Sequence, residues 1–269
     1  MNGSPTCYRL ADRAVLEDDI SYVWRKALRG NGMDAASLAT KCGVNKADID
    51  HLIAGKTEPS LLMLAAGILG LHAPALQRHG TYQPQVPHLQ GVSRLSLPFE
   101  QDFVNAWLIR DEDQTLLFDT GFEHDSASHL LKTMGIPPLE LFVTHDHRDH
   151  VGGLKGLSPW IKKLHSMEYG QQLRFGGLQI TCIDLSGHCI PTFGYIIRGF
   201  SRLICVVGDA LFAGSIGGCA DAFTYEMAIR NLRHHVMSLP DDTILLPGHG
   251  PATTVGQERV SNPFLSSKT

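Results

Sequence analysis

The sequence predicts a mixed α/β fold, a layered domain of about 180 residues behind a smaller all-α segment. Three observations carry this reading. Up to about Leu76 the apolar residues recur at helical spacing and no run reads as a strand. From about Leu89 onward, short apolar and β-branched runs alternate with helical stretches. Between the two lies "QRHGTYQPQVPH", rich in Pro, Gly and Gln, which reads as a connection. The expected division is 1–78 for the helical segment, 79–88 for the linker and 89–269 for the layered domain.

In the helical segment, Ala35 to Lys41 reads as a short helix ended by Gly43, a residue suited to a left-handed turn. Asn45 then caps a second helix running to Gly55, with Val44, Ile49, Leu52 and Ile53 on its inward face. Ser60 is expected to cap a third, Leu61 to Leu69. The Leu-Ala-x-x-x-Gly-Val pattern and the Gly55-Lys56-x-x-Pro59-Ser60 junction resemble the helix-turn-helix domains of the phage-repressor (Xre-like) family, over about 45 residues. That resemblance implies DNA binding; the alternative is a helical bundle for docking or homodimer formation. The outward residues of the second helix, Lys46, Asp48, Asp50 and His51, favour the alternative, because aspartates repel phosphates. Residues 1–80 carry nine Lys/Arg against eight Asp/Glu, a near-neutral balance.

In the layered domain the expected strands are "AWLIRD", "QTLLFDTG", "LELFVTHDH", "LQITCIDLS", "GYIIRG", "RLICVVGDA" and "TILLPGHG". The expected helices are "HDSASHLLKTMG", "GGLKGLSPWIKKL" and "DAFTYEMAIRNLRHHVMSLP". A hydrophobic content of 43% suffices for a sizeable core, and a net charge of −4 gives no basic field for nucleic acid or acidic membranes. The six cysteines form no C-x-x-C pair, the start lacks an apolar signal core, and no apolar run approaches membrane-spanning length. A reducing, cytoplasmic setting is expected.

The chemistry concentrates in "FVTHDHRDHVGGL". In locally extended backbone His145 and His147 share one side and can hold one divalent ion, while Asp149 and His150 can hold a second. Gly152 and Gly153 are expected to let the chain turn sharply into a helix. An isolated H-x-H is weak evidence. Here further ligand-type residues follow at three later strand ends: His188 in "DLSGHCIPTFGY", Asp209 in "ICVVGDALF" and His249 in "ILLPGHGP".

With those residues in place, the chain from about Leu89 to Leu265 resembles the metallo-β-lactamase superfamily, and within it the small glyoxalase II-like hydrolases. The resemblance implies a four-layer αβ/βα sandwich with two metal ions at one edge of its sheets. It implies that His145, His147 and His188 hold one ion, that Asp149, His150 and His249 hold the other, and that Asp209 bridges them. Asp119 in "LLFDTG" falls where the family supports its metal loop. Two divalent ions sharing a water lower its pKa towards about 7, and the resulting hydroxide attacks a thioester or ester carbonyl. Asp149 and Asp209 are then the catalytic carboxylates. Zinc suits histidine and carboxylate ligands best, with iron or manganese also accommodated.

Two departures from the family bear on substrate. The chain ends soon after His249, where glyoxalase II proper continues into a helical domain that clasps glutathione. Gly218-Cys219-Ala220 and "LSGHCIPTF" also replace the usual wording at those places. Alternative readings are a lactonase acting, for example, on acyl-homoserine lactones, an iron persulfide dioxygenase, and a metabolite-sensing DNA-binding regulator. Of the neighbouring residues, Asp146 is read either as orienting a ligand histidine or as a solvent-facing turn residue. Cys189 reads as a buried, inert cysteine, with a thiolate ligand or redox handle as the alternative, and Cys205 as a core strand residue. Tyr195 and Tyr225 read as aromatic packing by default, with ligand contact as the alternative, and His165 as a residue with some chance of touching substrate. His234 and His235 receive no role.

Overall fold

The computed structural model describes residues 4–10, 15–56 and 58–266; residues 1–3, 11–14 and 57 of the expected helical segment lie outside the described residues, as do 267–269. The chain begins with strand β1 (Thr6–Arg9) and continues through α1 (Ile20–Gly30), α2 (Ala35–Cys42), α3 (Lys46–Ile53), α4 (Pro59–Leu69) and α5 (Ala73–Arg78). Next come β2 (Val92–Phe99), β3 (Asp102–Asp111), β4 (Gln114–Phe118), α6 (Ser126–Thr133), β5 (Leu139–Phe142), α7 (Arg148–Val151), α8 (Leu154–Leu157) and β6 (Ile161–His165). The second half holds β7 (Gln172–Phe175), β8 (Leu178–Asp184), β9 (Phe193–Arg198), β10 (Ile204–Gly208), the small hairpin β11 (Leu211–Phe212) and β12 (Ser215–Ile216), α9 (Ala222–Asn231), β13 (Ile244–Pro247), β14 (Thr253–Thr254) and α10 (Val255–Ser261).

Strands β1 to β6 form one six-stranded sheet in chain order, and the second runs β14-β13-β10-β9-β8-β7. Side-chain alternation divides each strand between two cores. In β5, Leu139 and Leu141 face α6 and α8, whereas Phe142 faces the other sheet. In β10, Cys205 and Val207 face helices, whereas Ile204 and Val206 meet the first sheet. The order is therefore helix, sheet, sheet, helix, the four layers expected.

Several expectations need correction. The segment ahead of residue 78 is not purely helical, because Thr6–Arg9 pairs antiparallel with β2. None of these four residues is fully buried and they do not alternate, so no periodic signal marked them. Ser60 caps nothing: Glu58 occupies the cap position, and Pro59 opens α4 with the fixed φ that suits a first helical turn. The stretch "GGLKGLSPWIKKL" splits, with Ile161 onward forming edge strand β6 beside β5. Gly43 (φ 70°) and Asn45, which shares a capping box with Asp48, are as expected.

The N-terminal helices pack into the body of the fold. Val23, Trp24, Ala27 and Leu28 of α1 share a core with Ile183, Leu185, Ile196 and Val207 of the second sheet. Tyr225 of α9 fills the space beside Gly30, where an added Cβ would come within 2.3 Å of its ring. A buried ion pair between Lys26 and Asp18 ties α1 to the β11–β12 hairpin, since Ser215 donates to Asp18 and Lys26 donates to the Ile216 carbonyl at 2.8 Å. The connection after α5 is pinned too: Gln85 and Gln257 exchange two hydrogen bonds, and Tyr82 donates to Glu258 at 2.6 Å. On α3, Lys46 is ion-paired with Asp50, and Asp48 is committed to the cap.

Candidate metal centre

Strands β5, β8, β10 and β13 end at one edge of the two sheets, and the loops leaving them carry the seven candidate ligands. The structure brings all seven together as two adjoining groups. His145, His147 and His188 form one, and Asp149, His150, Asp209 and His249 form the other; within each group the ligand atoms lie within 4.8 Å of one another. His147 Nδ1 is 3.1 Å from His145 Nε2 and 3.1 Å from His188 Nε2. In the second group His249 Nε2 is 3.1 Å from Asp149 Oδ2, and His150 Nε2 is 3.2 Å from Asp209 Oδ1. Asp209 stands between the groups, its Oδ2 being 3.6 Å from His249 Nε2 and 3.8 Å from His188 Nε2.

These spacings suit coordination. Ligand atoms placed tetrahedrally at about 2.0–2.1 Å from one ion are about 3.3 Å apart. A cluster of imidazole nitrogens that close has too few protons to be satisfied by hydrogen bonds alone. Two buried atoms, His150 Nε2 and Asp209 Oδ1, have no properly formed hydrogen bond, and both face the second group. Unpartnered buried polar groups are costly, and a cation beside these two atoms would satisfy both.

The outer ring of hydrogen bonds fixes which nitrogen each histidine presents. His188 Nδ1 donates to the Gly218 carbonyl at 2.7 Å, and His249 Nδ1 donates to the Phe103 carbonyl at 3.1 Å. His145 Nδ1 meets Thr144 Oγ1 at 3.0 Å. His150 Nδ1 donates to Asp119 Oδ2 at 2.8 Å. Each of these four rings is left with Nε2 turned inward. Asp119, buried and at φ 64°, also accepts from the Thr144 N–H at 2.8 Å and from Thr144 Oγ1 at 2.9 Å, so one carboxylate anchors both the loop and a ligand. That is the support that the resemblance implied for it.

The electrostatics differ between the groups. Burial holds His145 down at about 4 and lowers His188 as well, so both rings stay neutral with a lone pair to offer. In the second group burial opposes charge on every member, but attraction wins. Asp209 and Asp119 raise His150, Asp209 and Asp149 raise His249 to about 9, and the two imidazoles hold Asp209 well below the usual carboxylate range. Protons there occupy a place that a dication can take by exchange.

Backbone packing makes the cage possible. At Gly248 an added Cβ would lie 2.1 Å from Asp209 Oδ1. Gly152 and Gly153 have helical backbone angles (φ −58° and −79°), so the sharp turn expected of them is absent. They are needed for closeness instead, because added Cβ atoms would lie 2.0 Å from the Phe122 carbonyl oxygen and 2.3 Å from that of Thr120.

Other expected neighbours fall elsewhere. His165 stacks on Phe142 and pairs with Glu140 at 2.7 Å inside the fold. Tyr195 is a core residue that donates to the Val143 carbonyl. Asp146 is exposed and accepts the Cys189 thiol, and among the described residues no hydrogen bond joins it to a ligand histidine. Asn105 and Trp107 escaped sequence reading. Both donate to the Pro247 carbonyl, and Asn105 also to that of Gly250, clamping the loop that carries His249. Only a polar residue on an otherwise apolar strand hinted at them. Glu17 also approaches His249, at 3.8 Å, from the N-terminal segment.

Comparison with known proteins agrees with this architecture. Residues 100–175 match the family described as the metallo-beta-lactamase superfamily. Fold, cage and match are consistent with a metallo-hydrolase of that superfamily, and the relatives the chain resembles are glyoxalase II-like. The chain is 27% identical to the probable metallo-hydrolase YqgX of Bacillus subtilis over 60% of its own length and 92% of that protein's. It is also 27% identical to the hydroxyacylglutathione hydrolase GloC of Haemophilus influenzae, over 64% of this chain and 95% of that one. Among solved structures, the BLEG-1 B3 metallo-beta-lactamase superposes with a TM-score of 0.51 at 24% identity, covering 64% of this chain and 99% of that chain. A Staphylococcus aureus metallo-beta-lactamase gives 0.52 at 17% identity, covering 62% and 60%. These two likenesses concern the fold alone. Among the described residues no helix is long and apolar enough to cross a membrane.

Proposed function

We propose that the chain hydrolyses a thioester or ester carbonyl with a pair of divalent ions. His145, His147 and His188 would hold one ion, Asp149, His150 and His249 the other, and Asp209 would serve both. The observation that carries this reading is the convergence of seven side chains into two groups with Asp209 between them. Similarity to the H. influenzae hydroxyacylglutathione hydrolase over 95% of its length supports a thioester as the substrate class. Bound there, the ions would acidify a water to supply the nucleophile at neutral pH and would polarise the carbonyl under attack.

The chain's own residues do the rest. Asp119, Thr144 and the carbonyls of Gly218 and Phe103 hold four imidazoles in the ligating orientation. Asp149 and Asp209 would balance the positive charge, and Asp149, the less buried of the two, would be placed to take the proton released by the attacking water at its carboxylate. Phe99 and Phe212, each with its ring centroid 5.8 Å from that of His249, keep bulk water from one side of the cage. Zinc best suits such a mixture of imidazole and carboxylate.

The test is turnover of S-lactoylglutathione and simple acyl thioesters, beside lactone and phosphodiester controls, by protein of measured metal content. His145→Ala and Asp209→Ala are expected to abolish thioester hydrolysis and to lower bound metal. Thioester turnover unchanged in both variants would overturn the reading.

A further inference from the structure

A cavity of about 1000 Å³ lies between the N-terminal helices, the connection after α5 and the loop that follows His249. None of the seven candidate ligands lines it. Its walls are mainly apolar: Ile20 and Trp24 of α1, Leu52 of α3, Leu62 of α4, Leu76 of α5, and Pro251. The segment before α1 separates it from the metal cage, because Glu17 faces His249 while Leu16 and Asp18 line the cavity. Cavities of this size and lining are the usual form of small-molecule sites.

The charges in the wall select the kind of ligand. Among the described residues the lining includes two aspartates and no lysine or arginine. Both acids already have partners: Asp18 is bound to Lys26 and Ser215, and Asp19 caps α1 through the N–H groups of Ser21 and Tyr22. Among the described residues, a carboxylate or phosphate entering the cavity would therefore meet acids and no cation, and an unpaired buried anion is costly. The neutral polar groups Gln77, His79 and Gln83 can hydrogen-bond to an uncharged head group.

We propose that this cavity is a binding site, separate from the metal cage, for an uncharged and mainly apolar small molecule carrying a neutral polar group, such as a long-chain alcohol, ester or lactone. The claim stands independently of the reaction at the metal centre.

The test uses the full chain and the neutral fluorophore N-phenyl-1-naphthylamine, whose emission rises in apolar surroundings. Saturable binding with one site per chain is expected. 1-Decanol should displace the probe, and decanoate should do so at least about 10-fold less effectively, because its charge finds no partner. An added Cβ at Gly80, which lines the cavity, meets no atom within 4 Å, so Gly80→Leu extends a side chain into open space. Gly80→Leu and Leu62→Trp should each weaken probe binding by about 10-fold by occupying the volume. His145→Ala, which strikes the metal cage, should leave probe binding intact. Equal displacement by decanol and decanoate, loss of binding in His145→Ala, or unchanged binding in both cavity variants would overturn the proposal. If the cavity variants fail to fold, the ratio of decanol to decanoate decides.

Discussion

Asp119→Asn isolates what the outer hydrogen-bond ring does for the cage. Asparagine keeps the size of the side chain and tolerates the left-handed backbone (φ 64°), so the loop itself is little disturbed. Its carbonyl oxygen can still accept from the Thr144 N–H, which now donates to Asp119 Oδ1 at 2.8 Å. The amide nitrogen then replaces Oδ2, which accepts from His150 Nδ1 at 2.8 Å. Two donors cannot share that contact. His150 must shift its proton to Nε2, the atom that faces Asp149 and Asp209, and a protonated nitrogen offers no lone pair to an ion. Loss of such an outer partner typically weakens metal affinity by about 10–100-fold, or about 1.4–2.7 kcal/mol. The effect should fall mainly on the second group, which His150 enters directly, and reach the first only through Thr144 Oγ1, which links Asp119 Oδ2 to His145 Nδ1. Competition with a chromophoric chelator, read beside metal stoichiometry, measures it. Two ions bound with wild-type affinity in Asp119→Asn would refute the tautomer argument.

Two further expectations concern the N-terminal segment. Lys26→Met leaves Asp18, buried at 6% side-chain exposure, without its cation, and should cost about 3–5 kcal/mol in chemical denaturation. Adding Asp18→Asn should recover much of that loss, and equal stability of the single variant and wild type would remove the ion pair from the account. A fragment starting at residue 89 uncovers part of the core that Trp24, Ala27 and Leu28 share with the second sheet, at about 1.5–3 kcal/mol for each large side chain exposed. It should bind hydrophobic dyes and lose cooperative thermal unfolding; a monomeric fragment that melts sharply would show that the layered domain stands alone.

The legibility of the chain varied with the range of the interactions involved. Gly43 and the Asn45 cap were readable because turns and caps are settled within about four residues. Strands β4 and β10 were readable because each is a dense apolar run that two cores share on alternate faces, and β8 because apolar residues alternate with polar ones along most of it. The candidate ligands announced themselves by residue type at strand ends, where metal-binding side chains have few other reasons to gather. Strand β6 was misread because "IKKL" carries its lysines on an exposed edge, and only pairing with β5 makes it a strand. Asn105 and Trp107 were invisible for a related reason: their partner, the Pro247 carbonyl, lies about 140 positions away.

The N-terminal helices show most clearly why local pattern underdetermines function. Their sequence satisfies every short-range rule of a helix-turn-helix, yet those rules describe only how three helices meet one another. What the segment touches is decided by single side chains that local reading assigns to solvent. Lys26 looks like an ordinary surface lysine on an amphipathic helix, but its ammonium reaches Asp18 and the Ile216 carbonyl and lies 4.8 Å from the Phe212 ring centroid. Phe212 in turn packs beside His249, which Glu17 approaches from the same segment. A wall built in this way can reshape the surroundings of a metal cage without altering any ligand. The departures at Gly218-Cys219-Ala220 fit that picture, since the backbone there already serves His188 through the Gly218 carbonyl, and the Lys26 stem passes 3.8 Å from the position of a Gly218 Cβ. Selectivity in this chain is therefore to be sought in residues 15–30 as much as in the loops that bear the ligands.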